Sequence, residues 1–403
     1  MISGHGPMPS YRILELGGLR TAMGLRFLSA FGAEVIRVEP PEGSDDRHVA
    51  PFVDSRAGPD RSLVYLARNG GKRSIVLDLS SEANRPAFNA LLQSADAVVV
   101  GVPHDVRADW SLDEVEVRRV NPQIIYCSVS DYGLSGPHRD WTSTPITALA
   151  ASGAMSVAGT SDNPPCDAPT PLAWDVSSIY AALGVQLALM QRKLDSKGRT
   201  LDISVQEASM QCLYPWAVPT YSYSGSAPAR GGAGSTMFRC ARGERVRMLL
   251  TSDSKWETLV QMLGDPPELR DPRWLSREER FGSAEELKML VEPNLQTHDA
   301  HEFCAKAREA GILIAVVRSP SELLDDANIV ARGFFGETSH PEFGTANVPG
   351  VPFKMSTFPA ITGHERPPLL GEHTSDVLDS LNIDGGALKS SAGGDTLSPE
   401  LSR

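Results

Sequence analysis

The chain has 403 residues, 41% of them hydrophobic, and a formal net charge of −12. That length exceeds one ordinary core and predicts two domains, or one large domain with a smaller one inserted, and the apolar content excludes a disordered polymer. So acidic a balance excludes nucleic acid or an anionic membrane as the main partner, and an anionic ligand binds only where local cations meet it.

Strand and helix signals alternate over the first two hundred residues. RILEL (12–16) and EVIRVE (34–39) read as short strands flanking a helical stretch around 20–31. SIVLDL (74–79) precedes SSEANRPAFNALLQSAD, where apolar residues fall at helical spacing. AVVV (97–100) and IIYCSVS (124–130) continue the series, and RTLDISV follows a helix predicted to begin near Val176. Such alternation predicts a parallel sheet covered by helices. Near residue 218 the character changes, because PTYSYSGSAPARGGAGS is rich in Gly, Ser and Pro and reads as a connection or loop. VRMLLTS, a tryptophan-containing helix and a charged segment then predict a small α/β unit to about residue 325, with GILIAVVRS as a strand. The stretch after Asn382, polar and poor in aromatics, reads as a disordered tail.

The stretch PLAWDVSSIYAALG (171–184) carries one acid at the predicted start of an apolar helix. Asp175 there is either a helix cap, accepting orphan backbone N–H groups, or a nucleophile kept ionised by those same groups. Other motifs are weaker. GGLRTAMG (17–24) lacks the spacing of a dinucleotide or phosphate loop, and no GxSxG elbow occurs. His298 and His301 in THDAHEF read as a solvated helix face rather than a metal site. Cys127, Cys166, Cys212, Cys240 and Cys304 are odd in number and without CxxC spacing, which predicts reduced thiols, no structural zinc and a cytoplasmic setting. MISGHGPMPS lacks a signal-peptide pattern and no run approaches membrane-spanning length, so a soluble, intracellular protein is expected.

GAEVIRVEPPEG, RNGGKRSIVLDL, NPQIIYCSVSDYGLSGP, IYAALGVQLALMQRK, DDANIVARGFF, VPGVPFKMS and PLLGEHTSDVLDSL occur in that order. Together, from about residue 11 to 383, they resemble the family III CoA-transferases (CaiB/BaiF family), which include formyl-CoA transferase and α-methylacyl-CoA racemase. The resemblance implies an α/β fold: a Rossmann-like large domain and a small α/β domain, joined by two linkers in an interlocked homodimer. On this chain that places the large domain's N-terminal part at 1–217, a linker and the small domain at 218–325, a return linker and the C-terminal part of the large domain at 326–383, and the tail at 384–403.

The implied activity is transfer of CoA from an acyl-CoA thioester to a carboxylic acid, with coenzyme A as substrate and no metal. The implied mechanism runs through an enzyme–acyl anhydride and an aspartyl–CoA thioester on one aspartate. A racemase, isomerase or lyase acting on an acyl-CoA thioester, or a non-catalytic CoA-binding member, is the alternative. Asp175 is the matching residue once a one-residue deletion is allowed; without it Trp174 takes the catalytic position. Asn69, Gly70, Gly71, Lys72 and Arg73 match the family's CoA segment, the paired cations meeting phosphates and the glycines allowing close backbone approach. Gly231, Gly232, Ala233, Gly234 and Ser235 match a glycine-rich lid over the aspartate. Ser143-Thr144-Pro145 stands where racemases carry their histidine, and Val100-Gly101-Val102-Pro103-His104 replaces a common CoA-contacting stretch.

Overall fold

Six short strands pair in parallel, and RILEL, EVIRVE, AVVV and IYCSVS among them are buried along nearly their whole length, as expected of strands covered on both faces. The computed structural model describes residues 6–159, 164–213, 215–226, 237–249, 253–358 and 362–383. In chain order the strands are β1 (Arg12–Leu16), β2 (Glu34–Glu39), β3 (Arg73–Val76), β4 (Ala97–Val100), β5 (Ile125–Ser130) and β6 (Arg199–Ser204). Their spatial order is β3-β2-β1-β4-β5-β6. The chain winds outward from β1 to β3, returns, and winds the other way from β4 to β6. The junction of β1 and β4 is therefore the topological switch point, outside whose carboxyl ends ligands of open parallel sheets bind.

Helices between the strands supply the cover: α1 (Ala22–Ala30), α2 (Leu63–Arg68), α3 (Arg85–Ser94), α4 (His104–Asp109), α5 (Glu114–Val120), α6 (Pro145–Ala151) and α7 (Leu172–Asp195). Leu14, Ile36, Ile75, Phe88, Leu91, Val98 and Tyr126 form one buried cluster, closed by Val377 and Leu378 near the C-terminal end of the described chain. The described residues fall into two compact units. The first lies within Met1–Ser152, Ala168–Tyr214 and Val330–Arg403, the second within Gly153–Asp167 and Pro215–Ile329. The second unit has its own antiparallel sheet, in which Met237–Arg239 and Ile314–Val316 flank Arg245–Met248, and its own core around Trp256, Trp274, Leu287 and Phe303.

Three expectations change. The strand predicted over 74–79 ends at Val76. The long helix starts at Leu172 rather than near Val176, because Pro171, with no N–H to leave unsatisfied, fits the turn where the helix begins. This 24-residue helix is also long and apolar enough by composition to span a bilayer, contrary to the sequence reading, although 61% of its most apolar window is buried in the protein. The polar tail at 384–403 and the glycine-rich stretch 231–235 lie outside the described residues.

Candidate active site

The first turn of α7 carries Asp175. It is not the cap residue: Pro171 occupies that position, and the Asp175 N–H donates to the Pro171 carbonyl at 3.0 Å inside the helix. The carboxylate instead meets a cation from α2. Arg68 Nε donates to Asp175 Oδ1 at 2.9 Å and Arg68 Nη2 donates to Oδ2 at 2.8 Å, a two-point clamp of the planar guanidinium on the planar carboxylate. Thr170 completes it. Its hydroxyl accepts from Arg68 Nη2 at 2.9 Å and donates to Asp175 Oδ2 at 3.0 Å. Arg68 and Asp175 are each 8% exposed, so the pair is shielded from bulk water, and at the helix start the macrodipole adds a favourable field for the anion.

Sequence reasoning missed Arg68 and Thr170. Arg68 adjoins the stretch singled out for CoA, but nothing in the local pattern links it to an acid 107 residues away.

Trp174, the alternative occupant of the catalytic position, is buried with the Arg20 guanidinium 4.6 Å from its ring centroid. Arg20 in turn pairs with Asp131 through Nε at 3.3 Å and Nη2 at 3.1 Å, and Asp131 accepts the Ser143 N–H at 2.9 Å. Arg20 follows β1 and Asp131 follows β5, so this chain of contacts ties the first turn of α7 to the carboxyl ends of the sheet, the side on which ligands bind. An indole has no group able to form an acyl anhydride; of the two candidates, only Asp175 presents a carboxylate there.

Most of the Asn69–Arg73 stretch is engaged inside the protein. Lys72 is buried, and its three N–H groups go to Glu15 Oε2 at 2.8 Å, the Ala22 carbonyl at 2.9 Å and Asn69 Oδ1 at 2.8 Å. Burial lowers its ammonium pKa to about 8, with Glu15 opposing the fall. Asn69 links the same network, accepting from Arg37 at 2.7 Å and donating to Asp46 at 2.9 Å. Burial pushes the neighbouring Glu39 carboxyl up, but Arg37, Arg47 and Ser74 outweigh it and hold the group at about 2. Gly70 does allow a close backbone approach, although the approaching group is the Glu365 carbonyl, which a Cβ would meet at 2.4 Å. Gly71 sits at φ +75° and donates to the Arg366 carbonyl at 3.1 Å. Arg73, half-buried, pairs with Glu34 at 2.7 Å. The stretch that was expected to meet phosphates thus seats the C-terminal segment and balances buried acids, and Lys72 retains no free donor.

An exposed guanidinium and an exposed imidazole lie instead beyond β4 and β5. His104 and Arg139 both approach Asp140, at 3.6 and 3.4 Å, beside a cluster in which His138 stacks on Trp141 (centroids 3.7 Å apart) and Tyr132 meets Trp141 edge-on at 5.9 Å. Trp141 is 57% exposed. In the second unit, His301 pairs with Glu322 at 3.3 Å and His298 packs on Phe303. The five cysteines are free thiols.

With this geometry in view, the relatives are informative. The family model described as CoA-transferase family III matches residues 11–374. The succinate–glutarate CoA-transferase of Agrobacterium fabrum is 29% identical over 388 residues, covering 93% of this chain and 96% of that one. The acetyl-CoA:oxalate CoA-transferase of Acetobacter aceti is 28% identical over 371 residues, covering 90% and 92%. The crystal structure of a CaiB/BaiF family protein from Brucella suis shares the fold, with a TM-score of 0.83 at 24% identity over 94% of this chain and all of that one. The chain belongs to CoA-transferase family III, and it is a CoA-transferase.

Proposed function

We propose that this enzyme moves CoA from an acyl-CoA thioester to a carboxylic acid through covalent intermediates on Asp175. The observation that carries the reading is the Asp175 carboxylate itself: buried, in the first turn of a helix, and clamped by Arg68 and Thr170. A nucleophile needs to be oriented and shielded from competing water, and the clamp provides the first while burial provides the second. Asp175 attacks the acyl carbonyl and expels the CoA thiolate, leaving a mixed anhydride. The thiolate then attacks the aspartyl carbon and releases the donor acid. The acceptor carboxylate repeats the exchange in reverse order, so CoA changes hands with no net proton transfer. Relatives named for succinate, glutarate and oxalate point to small dicarboxylic acids as the first substrates to try. A racemase needs a second base opposite its first; Thr144, which falls at the expected histidine position, offers none.

The residues 231–235 are placed in this scheme as a lid, and the protein as a homodimer of interlocked chains in the cytoplasm. The nucleotide end of CoA is assigned in this scheme to Arg139, beside His104 and the exposed face of Trp141, at the carboxyl ends of the sheet, because the Arg139 guanidinium is exposed with its neighbour Asp140 beside it, whereas Lys72 is buried with all three donors taken.

The test is mass spectrometry after incubation with succinyl-CoA, acetyl-CoA and formyl-CoA, with and without hydroxylamine. Wild type is expected to carry a modification at Asp175, and Asp175→Asn to remain folded and unmodified, since the amide cannot form the anhydride. Undiminished CoA transfer by Asp175→Asn ends this mechanism.

A further inference from the structure

We propose that the two oxygens of Asp175 have separate tasks: Oδ1 forms the new bond, and Oδ2 bears the negative charge that develops when the aspartyl carbon is attacked, with Arg68 and Thr170 as the catalytic donors to it. The proposal rests on Asp175 being the nucleophile and adds two residues to the chemistry.

The two oxygens are unequally solvated by the protein. Oδ1 accepts one hydrogen bond, from Arg68 Nε at 2.9 Å. Oδ2 accepts two, from Arg68 Nη2 at 2.8 Å and from the Thr170 hydroxyl at 3.0 Å. Each donor draws electron density from the oxygen it touches, so Oδ1 keeps the more available lone pair. The Thr170 hydroxyl is itself polarised, because its oxygen accepts from Arg68 Nη2 at 2.9 Å while its proton points to Oδ2. Donors fixed at one oxygen of a buried carboxylate are the arrangement that stabilises a developing oxyanion.

The chemistry then divides in two. When Oδ1 attacks the acyl carbon, the C–S bond breaks, thiolate leaves, and charge develops on the acyl oxygen, away from Oδ2. When the thiolate attacks the aspartyl carbon, the C–S bond forms, the aspartyl C–Oδ1 bond breaks, and the donor acid departs carrying Oδ1, while Oδ2 holds the negative charge in between. When the acceptor carboxylate attacks the aspartyl–CoA thioester, the same carbon turns tetrahedral and Oδ2 is charged again. The final attack of thiolate on the acceptor's acyl carbon returns Asp175 as a carboxylate, the acceptor's oxygen now in the Oδ1 position. Two of four steps therefore depend on the Oδ2 donors.

Rapid-quench mass spectrometry of Thr170→Val tests this, with Thr170→Ser as the control that restores the hydroxyl. Using whichever of succinyl-CoA, acetyl-CoA or formyl-CoA modifies wild type, the initial burst of thioester consumption is expected to change far less than the later steps in Thr170→Val. Conversion of the acyl form of Asp175 to its CoA form, and discharge of that form by an added carboxylate, are expected to slow about 10²-fold. The acyl form accumulates as a result, and Thr170→Ser returns both steps to near wild type. A burst slowed as much as the later steps, or no step slowed, overturns the proposal while leaving Asp175 as nucleophile. No modification of wild type by any of the three donors overturns both.

Discussion

Lys72 and Arg139 carry the same charge in opposite settings, and removing each is expected to have a different effect. All three Lys72 donors are taken by protein acceptors in a site closed to solvent. Removing the ammonium leaves Glu15 buried with one partner fewer, so Lys72→Met is expected to cost roughly 3–5 kcal/mol of stability. Its effect on CoA is confined to that loss of folded protein. Arg139 and Trp141 are exposed, and Arg139→Ala with Trp141→Ala is expected to leave the unfolding midpoint in place. That pair should weaken CoA binding several-fold, by losing a phosphate contact and a stacking face, and more strongly at low salt than at high salt because exposed charge is screened. Calorimetric titration with CoA at two salt concentrations, beside urea unfolding, separates the two. Unchanged CoA affinity in the Arg139/Trp141 variant at low salt would remove those residues from the site.

At the scale of elements, the position of Asp175 depends on how closely α1 and α7 approach. Gly24 of α1 faces Ser178 of α7: its N–H donates to the Ser178 hydroxyl at 2.9 Å, and a Cβ there would lie 1.8 Å from the Ser178 carbonyl oxygen. Ser178 is one turn beyond Asp175. Gly24→Ala must push the helices apart, with an expected loss of about 1–3 kcal/mol and, from the displaced first turn, slower modification of Asp175 in the folded fraction. Thermal unfolding and the mass-spectrometric assay read the two effects; a variant as stable and as reactive as wild type would show that the contact does not position the acid.

The same scale shows what periodicity reveals. RILEL and AVVV coincide with β1 and β4 because a strand buried on both faces is one short, mainly apolar run bounded by turn residues, and EVIRVE coincides with β2 through Val35, Ile36 and Val38 although its Arg37 and Glu39 are buried charges. The start of α7 was placed too late because Asp is a favoured cap, whereas the turn uses Pro171, and Trp174 and Asp175 are held by tertiary partners rather than by helix-end chemistry. Asp175 itself was legible as an acid heading an apolar helix. The clamp was not, since a pairing between residues 68 and 175 is set by the crossing of two helices and leaves no local pattern.

For the whole molecule, the outer face of α7 is the feature a single chain leaves unexplained. Ile179, Leu183, Leu187, Met190 and Leu194 repeat at helical spacing and are 46–80% exposed, although the chain as a whole is strongly acidic. A contiguous apolar stripe of this kind marks an interaction surface. The opposite face of α7, through Ala181, Val185 and Leu189, is buried in its own unit, so the helix is not free to cross a bilayer. A second copy presenting the same stripe about a two-fold axis would cover it. Light scattering at micromolar concentration is accordingly expected to give the mass of a dimer, and a stable monomer would overturn the assignment. Interlocking makes a sharper demand than dimerisation. Chains threaded through one another cannot separate without unfolding, so two differently tagged preparations mixed in native buffer should form no mixed dimers over hours, and should form them after unfolding and refolding together. Leu187→Glu with Met190→Glu should loosen the α7 contact and lower stability, yet still produce no exchange in native buffer. Free exchange of wild-type subunits at a rate that rises on dilution would leave an ordinary two-fold dimer in place of the interlocked one.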